Sequence, residues 1–440
     1  ERFGYYIMNA VLLLFLCSKF GLSDETSGVI YAVFYALIYV LSLVGGYIAD
    51  RSQNYKGTIM SGLVTMAVGY ALLSIPILAT PENTGWLLPF TCGALLLIAF
   101  GNGLFKGNLQ AIVGQMYDDP KYSDKRDSGF QIFYVFINVG GLIAPFVAPL
   151  LRSWWLKVHD MVYNSNLPAL CHAYINNGGN LSAEQMSNLN ELVGVSSTVP
   201  VTDLGVFCTE YLDVFNTGIH YSFFASVAAM LISLLIFVFT KKNMPNPAKK
   251  EAKVVEQYTK EEKLAMAKEI KQRMYALFAV LGIAIFFWFS FHQNGQSLSV
   301  FARDFVTTES IAPEIWQAVN PFFVITLTPI VMWVFSALRK KRGKDISTPR
   351  KIAIGMFIAA IAYLFLTIFS AVMGYPSGEE FRSLDVAAQN AVKAGPWVLI
   401  VTYFFLTVAE LFISPLGLSF VSKVAPKHLQ GICQGLWLGA

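Results

Sequence analysis

The chain has 440 residues, of which 55% are hydrophobic and only 14% are charged. Soluble globular proteins carry nearer a quarter of charged residues, so this composition excludes an ordinary soluble protein and indicates a polytopic membrane protein. The net charge of +4 comes from basic residues scattered between hydrophobic runs, which argues against a nucleic-acid interface. Because the chain starts without methionine and stops within an apolar run, we expect residues to be missing at both ends.

Apolar runs of membrane-spanning length recur along the whole sequence. A transmembrane helix needs about 20 such residues, and glycine or proline inside a run is compatible with a membrane helix. Ten complete or nearly complete runs and the start of an eleventh meet this length. The predicted spans are residues 1–20, 26–50, 56–79, 86–115, 128–152, 219–240, 274–302, 314–338, 351–374 and 396–422, with a fragment from 429.

The distribution of lysine and arginine predicts how these spans are oriented. The connection 241–273 carries ten basic residues, and 339–351 is also strongly basic. By contrast, 158–218 contains no lysine or arginine. We therefore expect a multi-pass protein of the plasma (inner) membrane with the linker 241–273 in the cytoplasm and the long loop 153–218 outside.

The linker divides six predicted spans from at least five more. It contains two prolines and then a charged, helix-like stretch, which is typical of a solvated connection between two bundles. We predict an all-α membrane protein with an N-terminal six-helix bundle at 1–240, a cytoplasmic linker at 241–273 and an incomplete C-terminal bundle at 274–440. Two repeated halves are typical of secondary transporters.

Ionisable residues begin the first span. Glu1 and Arg2 precede Tyr5 and Tyr6 and lead directly into an apolar run. Charged side chains at membrane depth are costly and usually functional. A solvated helix cap at the membrane face explains these residues equally well. Residues of the other spans are needed to distinguish the two interpretations.

Lys106 is the cation expected deep inside the fourth span, within the glycine-rich stretch Gly101–Asn108. Snorkelling to the interface suits a lysine near a helix end better than one at this position. We therefore predict a functional ammonium group. Asn138 precedes glycines in the fifth span, and Tyr39 shares a helical face with Tyr35, although a tyrosine stripe more often packs than binds.

Three polar residues mark the later spans. Glu410 lies near the centre of the tenth span with no basic residue within a helical turn, so it must be protonated or paired with another helix. Asn320 stands directly before a proline in the eighth span. His292 interrupts an aromatic run in the seventh, where a proton relay and a neutral packing residue are both plausible.

These charges suggest a class of substrate. Arg2 and Lys106 supply cations, and Glu410 supplies an anion. A site that is positive at one side and negative at the other suits a zwitterion with separated charges, and an extended dipeptide spans about 6–7 Å between its termini. The residues thus favour a peptide or an amino-acid-like solute.

Several stretches resemble known families. Gly46–Arg51 resembles the cytoplasmic loop motif of the major facilitator superfamily, in which Asp50 and Arg51 would lock one conformation. Glu1–Tyr6 resembles the end of the E-x-x-E-R-F-x-Y-Y signature of the proton-dependent oligopeptide transporters. Further stretches similar to motifs of that family are Gly101–Asn108, Phe130–Gly140, Phe287–Gly295, Asn320-Pro321 and Glu410–Leu418.

The resemblance implies the major facilitator fold and a proton-coupled symporter that imports di- and tripeptides by alternating access. It implies that Arg2 and Lys106 meet the peptide carboxylate, that Glu410 meets the amino group, and that Glu1 and Arg2 couple the proton. The pocket would be lined by Tyr5, Tyr6, Tyr39, Asn138 and Asn320. We expect a monomer in the lipid bilayer, with protons as coupling ion and no further cofactor.

The chain departs from the family pattern at two positions. Many members carry an arginine one turn beyond the tyrosines and an acid on the seventh helix, where this sequence has Asn9 and His292. The arginine and the acid can form an ion pair in those members. Because both are absent here, we interpret the two changes as a joint replacement. We hypothesise that His292 takes a share of the proton sensing.

Other functions remain open at this point. The same fold can carry nitrate, another small anion, an amino-acid-like compound or a modified peptide, although Glu410 would repel a simple anion. A channel or a membrane receptor is a further alternative. An enzyme is disfavoured, because the spans contain no nucleophile–base or metal constellation. Cys171 and Cys208 share the long loop and can form a disulfide if it faces an oxidising compartment.

Overall fold

The fold is described from a computed structural model. It describes residues 1–164, 167–245, 260–291, 298, 301–302, 305–307, 318–344, 346–377, 380, 388 and 391–440, without the side chains of 24 and 260–263. The main helices are α1 Arg2–Phe20, α2 Asp24–Ser52, α3 Tyr55–Leu73, α4 Thr84–Gln115, α5 Arg126–Val158, α6 Leu167–Asn176, α7 Ala183–Ser196, α8 Leu204–Thr240, α9 Lys260–Phe291, α10 Val319–Arg342, α11 Thr348–Met373, α12 Trp397–Val424 and α13 Gln430–Gly439.

Ten of the described helices are long and apolar enough to cross a membrane. They are α1–α5 and α8–α12, and each corresponds to one of the ten predicted spans. In the described part of the chain, extended pairing is limited to isolated bridges such as Met161 with Ser197. The predicted all-α membrane class is confirmed.

The sixth span differs most from its prediction. α8 begins at Leu204, not near residue 219, and the Asp203 side chain accepts hydrogen bonds from the first backbone N–H groups of the helix. Its N-terminal part carries Glu210 and Asp213, which interrupt the hydropathy pattern that marks the rest of the span. Because α5 also continues to Val158, the segment between the two spans is shorter than the predicted loop 153–218.

Two compact units make up the chain. Unit 1 is Glu1–Gly45, Lys56–Lys106 and Ile143–Asn243, and unit 2 is Gly46–Tyr55, Gly107–Leu142 and Met244–Ala440. Three helices, α2, α4 and α5, contribute residues to both units. Residues 246–259 of the predicted linker lie outside the described residues, so the predicted bundle boundaries at 240 and 273 stay a prediction.

In unit 1, α1 packs along α8. The ring of Phe15 meets that of Phe223 edge to face at a centroid distance of 4.9 Å. Near the start of α1, the Ser226 hydroxyl donates to the carbonyl of Gly4 at 2.8 Å. At its other end, Gly21 adopts φ +64° and its N–H donates to the carbonyl of Cys17. Glycine suits this left-handed position because it has no Cβ to clash.

Glycines bring α4 close to its neighbours in unit 1. A Cβ on Gly103 would lie 2.5 Å from the carbonyl oxygen of Leu41 on α2. A Cβ on Gly101 would lie 2.7 Å from the carbonyl oxygen of Gly62 on α3. These contacts hold the middle of α4 against two backbones and fix the position of Lys106 one turn further on. Small residues permit such close helix approach in membranes.

The core of unit 2 is formed mainly by α9, α11 and α12. Leu406 and Ala362 are almost completely buried there, and Phe130 from α5 belongs to the same cluster. α13 packs on α12, since a Cβ on Gly417 would lie 1.9 Å from the indole of Trp437. The Tyr363 hydroxyl ties α11 to α9 by donating to the carbonyl of Ser290 at 2.5 Å.

Candidate functional site

Glu1 and Arg2 form a two-pronged ion pair in unit 1. Arg2 Nε donates to Glu1 Oε2 at 2.5 Å, and Arg2 Nη2 donates to Glu1 Oε1 at 2.7 Å. The Arg2 side chain is 12% exposed and that of Glu1 only 3%. Asn102 on α4 lies within 3.5 Å of Glu1 Oε1. The guanidinium edge that would clamp an external carboxylate is therefore occupied by Glu1 in this structure.

Tyrosines surround this ion pair. The guanidinium carbon of Arg2 lies 5.0 Å from the centroid of the Tyr5 ring, and the Tyr5 and Tyr6 rings are 5.5 Å apart. Asn9 Oδ1 accepts hydrogen bonds from Tyr5 at 3.4 Å and from Tyr31 at 3.1 Å. Asn9, predicted to stand where many family members carry an arginine, thus connects α1 with α2 through neutral hydrogen bonds.

Lys106 lies beside the tyrosines of α2. Its ammonium nitrogen is 4.7 Å from the centroid of the Tyr39 ring, which is the geometry of a cation–π contact. The Tyr39 hydroxyl donates to that of Tyr35 at 3.0 Å. No salt bridge holds Lys106 among the described residues. Arg2, Tyr5, Tyr6, Tyr39 and Lys106, predicted as substrate residues, all belong to unit 1.

Glu410 is the centre of a second cluster, in unit 2. Its side chain is buried at 4% exposure. Oε1 accepts a hydrogen bond from the Tyr134 hydroxyl, and Oε2 accepts one from Asn320 Nδ2 at 2.7 Å. Asn320 also donates to Thr407 at 3.1 Å. Within the described ranges, Glu410 has no ion-pair partner.

Asn138 lies one turn after Tyr134 on α5. Its Nδ2 donates to the backbone carbonyl of Tyr134 at 2.9 Å, and its side chain is buried. The structure therefore places Asn138 beside the residue that contacts Glu410, while no direct bond joins Asn138 to the carboxylate. Asn138, Asn320 and Glu410 share unit 2.

The two residues of the loop motif have different environments. Asp50 is buried and accepts hydrogen bonds from the Tyr55 hydroxyl and from the backbone N–H groups of Gly431 and Ile432, at 2.9 and 2.7 Å. It therefore caps the N-terminus of α13, where negative charge is favourable. Arg51 is exposed and donates to Tyr47 at 2.9 Å. The two residues do not pair with each other.

A further ionic cluster joins three helices of unit 2. Asp127, at the start of α5, accepts hydrogen bonds from Lys423 at 2.6 Å, from Lys351 at 3.0 Å and from Ser419 at 2.5 Å. The neighbouring Arg126 pairs with Asp118 at 2.6 Å. This cluster is not apparent from the sequence, because the partners of Asp127 are distant from it along the chain.

The described residues contain no group of three or more His, Cys, Asp or Glu side chains able to hold a metal ion. A cavity of about 660 Å³ lies in unit 1 beside α1 and α6. Its lining includes Leu14, Ser18 and His172, and none of the predicted substrate residues. His292 lies outside the described residues, so its proposed role stays a prediction.

Comparison with known proteins identifies the family. The profile of the POT family, the proton-dependent oligopeptide transporters, matches residues 56–260 and 248–440. The chain belongs to the POT family. It is 28% identical over 448 residues to dipeptide and tripeptide permease B of Edwardsiella piscicida, covering 99% of the chain and 80% of that protein. The corresponding permease of Salmonella typhimurium is also 28% identical, over 449 residues, with 99% and 81% coverage.

Solved POT structures share the fold. A mutant POT peptide transporter in complex with alafosfalin aligns with a TM-score of 0.57 at 21% identity, over 100% of this chain and 84% of that one. A POT transporter in complex with a thioalcohol-conjugated peptide aligns with a TM-score of 0.56 at 21% identity, with coverages of 100% and 85%. The predicted family and fold are therefore confirmed.

The structure adds two residues, Tyr31 and Tyr134, to the candidate site of this POT protein. Neither is among the residues predicted from the sequence. Tyr31 continues the stripe of Tyr35 and Tyr39 at a spacing of four, and this periodicity is visible in the sequence. Tyr134 lies four residues before Asn138 and shares its helical face. A search for polar side chains at that spacing from the predicted residues would have found both.

Proposed function

We propose that this POT family member is a proton-coupled symporter that imports di- and tripeptides by alternating access. The bidentate pair of Arg2 and Glu1 carries the proposal, because it joins a protonatable group to a carboxylate-binding group. The family membership and the names of the permease relatives support peptides as the substrate.

Proton coupling follows from competition for the Arg2 guanidinium. While Glu1 is ionised, both of its oxygens accept from Arg2. A proton on Glu1 removes the charge and frees the guanidinium for the carboxylate of a substrate. Binding of the proton and of the peptide then favour each other, and this coupling is reciprocal. Protons are the coupling ion, and no other cofactor takes part in the proposal.

The two clusters divide the recognition of the peptide termini. Arg2 and Lys106 bind the substrate carboxylate, and the tyrosine rings around them contact its backbone and side chains. Glu410 binds the amino group while Asn320 and Tyr134 orient its carboxylate. A simple anion such as nitrate has no group for Glu410 to bind, whereas a peptide has an amino group. Burial makes each of these charge-assisted contacts stronger than it would be in water.

The proposed orientation in the plasma membrane follows the distribution of basic residues. The linker 241–273 lies in the cytoplasm, and the segment between α5 and α8, which lacks lysine and arginine from 158 to 218, lies outside. Import of the proton and the peptide then runs from the side of this segment towards the linker. The transporter acts as a monomer in this proposal.

Uptake of labelled dialanine into proteoliposomes tests the proposal. We expect uptake with an inward proton gradient and little uptake after the gradient is collapsed. Glu1→Gln should abolish gradient-driven uptake but retain exchange of labelled for unlabelled peptide, because the uncharged amide mimics a permanently protonated Glu1.

The matched control is Glu191→Gln, which removes an exposed carboxylate on α7 and should leave both activities unchanged. Uptake of nitrate or of a free amino acid in place of dialanine would overturn the peptide assignment. Peptide uptake that is insensitive to the proton gradient in wild type would overturn proton coupling.

A further inference from the structure

Two cysteines meet where the outer segment packs against a membrane helix. The outer segment is 159–203, between α5 and α8. Cys171 lies on α6 of this segment and Cys208 lies in the second turn of α8. Both side chains are completely buried, on two helices that pack against each other, and the two thiol groups interact electrostatically. Both cysteines belong to unit 1.

The surroundings hold this pair in place. Tyr211, one turn after Cys208, donates its hydroxyl to the carbonyl of Val162 at 3.1 Å and accepts from the N–H of Asn164 at 3.0 Å. Leu167, at the start of α6, is completely buried. These contacts hold the start of α6 against α8, so the packing of the two helices keeps Cys171 and Cys208 at one buried interface.

The other three cysteines have different environments. All five cysteines of the chain lie in the described residues. Cys17 contacts the Ser27 hydroxyl at 3.2 Å, while Cys92 and Cys433 lie within other helices. Cys171 and Cys208 are both completely buried and interact with each other.

We propose that Cys171 and Cys208 form a structural disulfide that fastens the outer segment to α8. Two S–H bonds break and one S–S bond forms, while two protons and two electrons pass to an oxidised thiol–disulfide exchange protein, which leaves as its dithiol. The inference rests on the proposed outside location of the segment, because such oxidants act outside the cytoplasm.

The state of the folded thiols indicates when the bond forms. The interaction with Cys208 and burial raise the pKa of the Cys171 thiol far above its ordinary value. Both thiols are also completely buried, so an exchange protein cannot reach them in the folded chain. Oxidation therefore takes place during folding, before α6 closes on α8.

Thiol counting on the full-length chain tests the disulfide. Membranes are acid-quenched, denatured and treated with a maleimide-coupled polyethylene glycol, with or without prior reduction. Without reductant, we expect wild type to react only at Cys17, Cys92 and Cys433, and after reduction at all five cysteines. Reaction of all five without reductant, or a disulfide-linked dimer, would overturn the proposal.

Two variants serve as controls for the count. Cys171→Ser should free the Cys208 thiol, so that it reacts without reductant. Cys92→Ser should lose one adduct under both conditions and leave the reductant-dependent increase unchanged. If the increase persists in Cys171→Ser, Cys208 is bonded elsewhere and the assignment is wrong.

A separate measurement tests the location of the segment. Ser187→Cys introduces an exposed thiol on α7 for a membrane-impermeant maleimide applied to intact cells. If Ser187→Cys is labelled but Cys171 and Cys208 are both free thiols, the disulfide is refuted and the outside location of the segment is not. Absence of labelling would refute the outside location and the disulfide with it. Neither result changes dialanine uptake, so the transport proposal is tested independently.

Discussion

At the scale of single residues, Glu410 shows how neutral neighbours hold a buried carboxylate. Tyr134 and Asn320 each donate to a different oxygen of Glu410, and they come from α5 and α10. A hydrogen bond to a charged group contributes about 1.5–3 kcal/mol. Two donors therefore fix the direction of the carboxyl group, as the proposed contact with a substrate ammonium group requires.

Tyr134→Phe tests the importance of this orientation. We expect the KM for dialanine to rise about tenfold, since a loss of about 1.4 kcal/mol in binding corresponds to a factor of ten. The protein should still fold, because the ring that packs on α12 is retained. The measurement is the concentration dependence of proteoliposome uptake.

Tyr122→Phe is the matched control for Tyr134→Phe. Tyr122 is 42% exposed, before the short helical turn Ser123–Lys125. Loss of the Tyr122 hydroxyl should leave the KM for dialanine unchanged. A KM for Tyr134→Phe equal to that of the control would show that the hydroxyl does not position Glu410.

At the scale of elements, α4 depends on its glycines. Gly101 and Gly103 face backbone carbonyls of α3 and α2 at distances that exclude a Cβ, whereas Gly93 on the same helix has no such neighbour within 4 Å. The glycine-rich stretch around Lys106 is visible in the sequence, and the structure shows which helices approach it. Asn102, between the two glycines, reaches Glu1 from the same turn.

Gly103→Ala should destabilise the protein and weaken transport. The new Cβ forces α2 and α4 apart, and overpacking of this kind costs about 1–3 kcal/mol. We expect a lower apparent Tm in detergent and a lower maximal rate of uptake, because Lys106 and Tyr39 move apart. Gly93→Ala provides the control on the same helix, where alanine is the better helix former and Tm should stay the same or rise.

An equal Tm for the two alanine variants would contradict this account of α4. It would mean that the helices adjust around Gly103 without energetic cost.

At the scale of the whole molecule, the outer segment links stability to pH. His172 on α6 donates from Nε2 to the carbonyl of Ser18 at 2.6 Å. Burial lowers the pKa of His172 below its ordinary value, although the hydrogen bond to Ser18 opposes this effect. The folded chain therefore binds a proton at this site less readily than the unfolded chain does.

The sign of the pH dependence follows from this difference. Below about pH 6.5 the unfolded state takes up a proton at His172 that the folded state resists, so stability falls as the pH decreases. The contribution of His172 is fully present above that pH. We expect the apparent Tm of wild type to fall between pH 7.5 and 5.5 by more than that of His172→Gln.

His172→Gln keeps a donor for Ser18 but cannot titrate in this range, so its smaller pH dependence isolates the histidine. Equal slopes of Tm against pH for the two proteins would show that His172 does not contribute. Thermal unfolding followed by tryptophan fluorescence at fixed ionic strength is the measurement.

The number of spans followed from local sequence, whereas some of their ends did not. A run of apolar residues long enough for the bilayer is a local property, so ten spans were recognised one by one. The predicted start of α8 is too late, because Glu210 and Asp213 lower the hydropathy of its first turns. The helix itself is continuous from Leu204 to Thr240. Its N-cap, Asp203, was a usable signal that the hydropathy pattern outweighed.

Local sequence is enough to establish the all-helical membrane class, the family motifs and the unusual polar residues Glu1, Arg2, Lys106 and Glu410. The partners of such residues depend on tertiary packing. Glu410 accepts hydrogen bonds from Tyr134 and Asn320, and Asp50 caps the N-terminus of α13. The reason is physical. Helices that are apolar on nearly all faces carry no periodic pattern showing which face meets which neighbour, so packing alone fixes the contacts between distant residues.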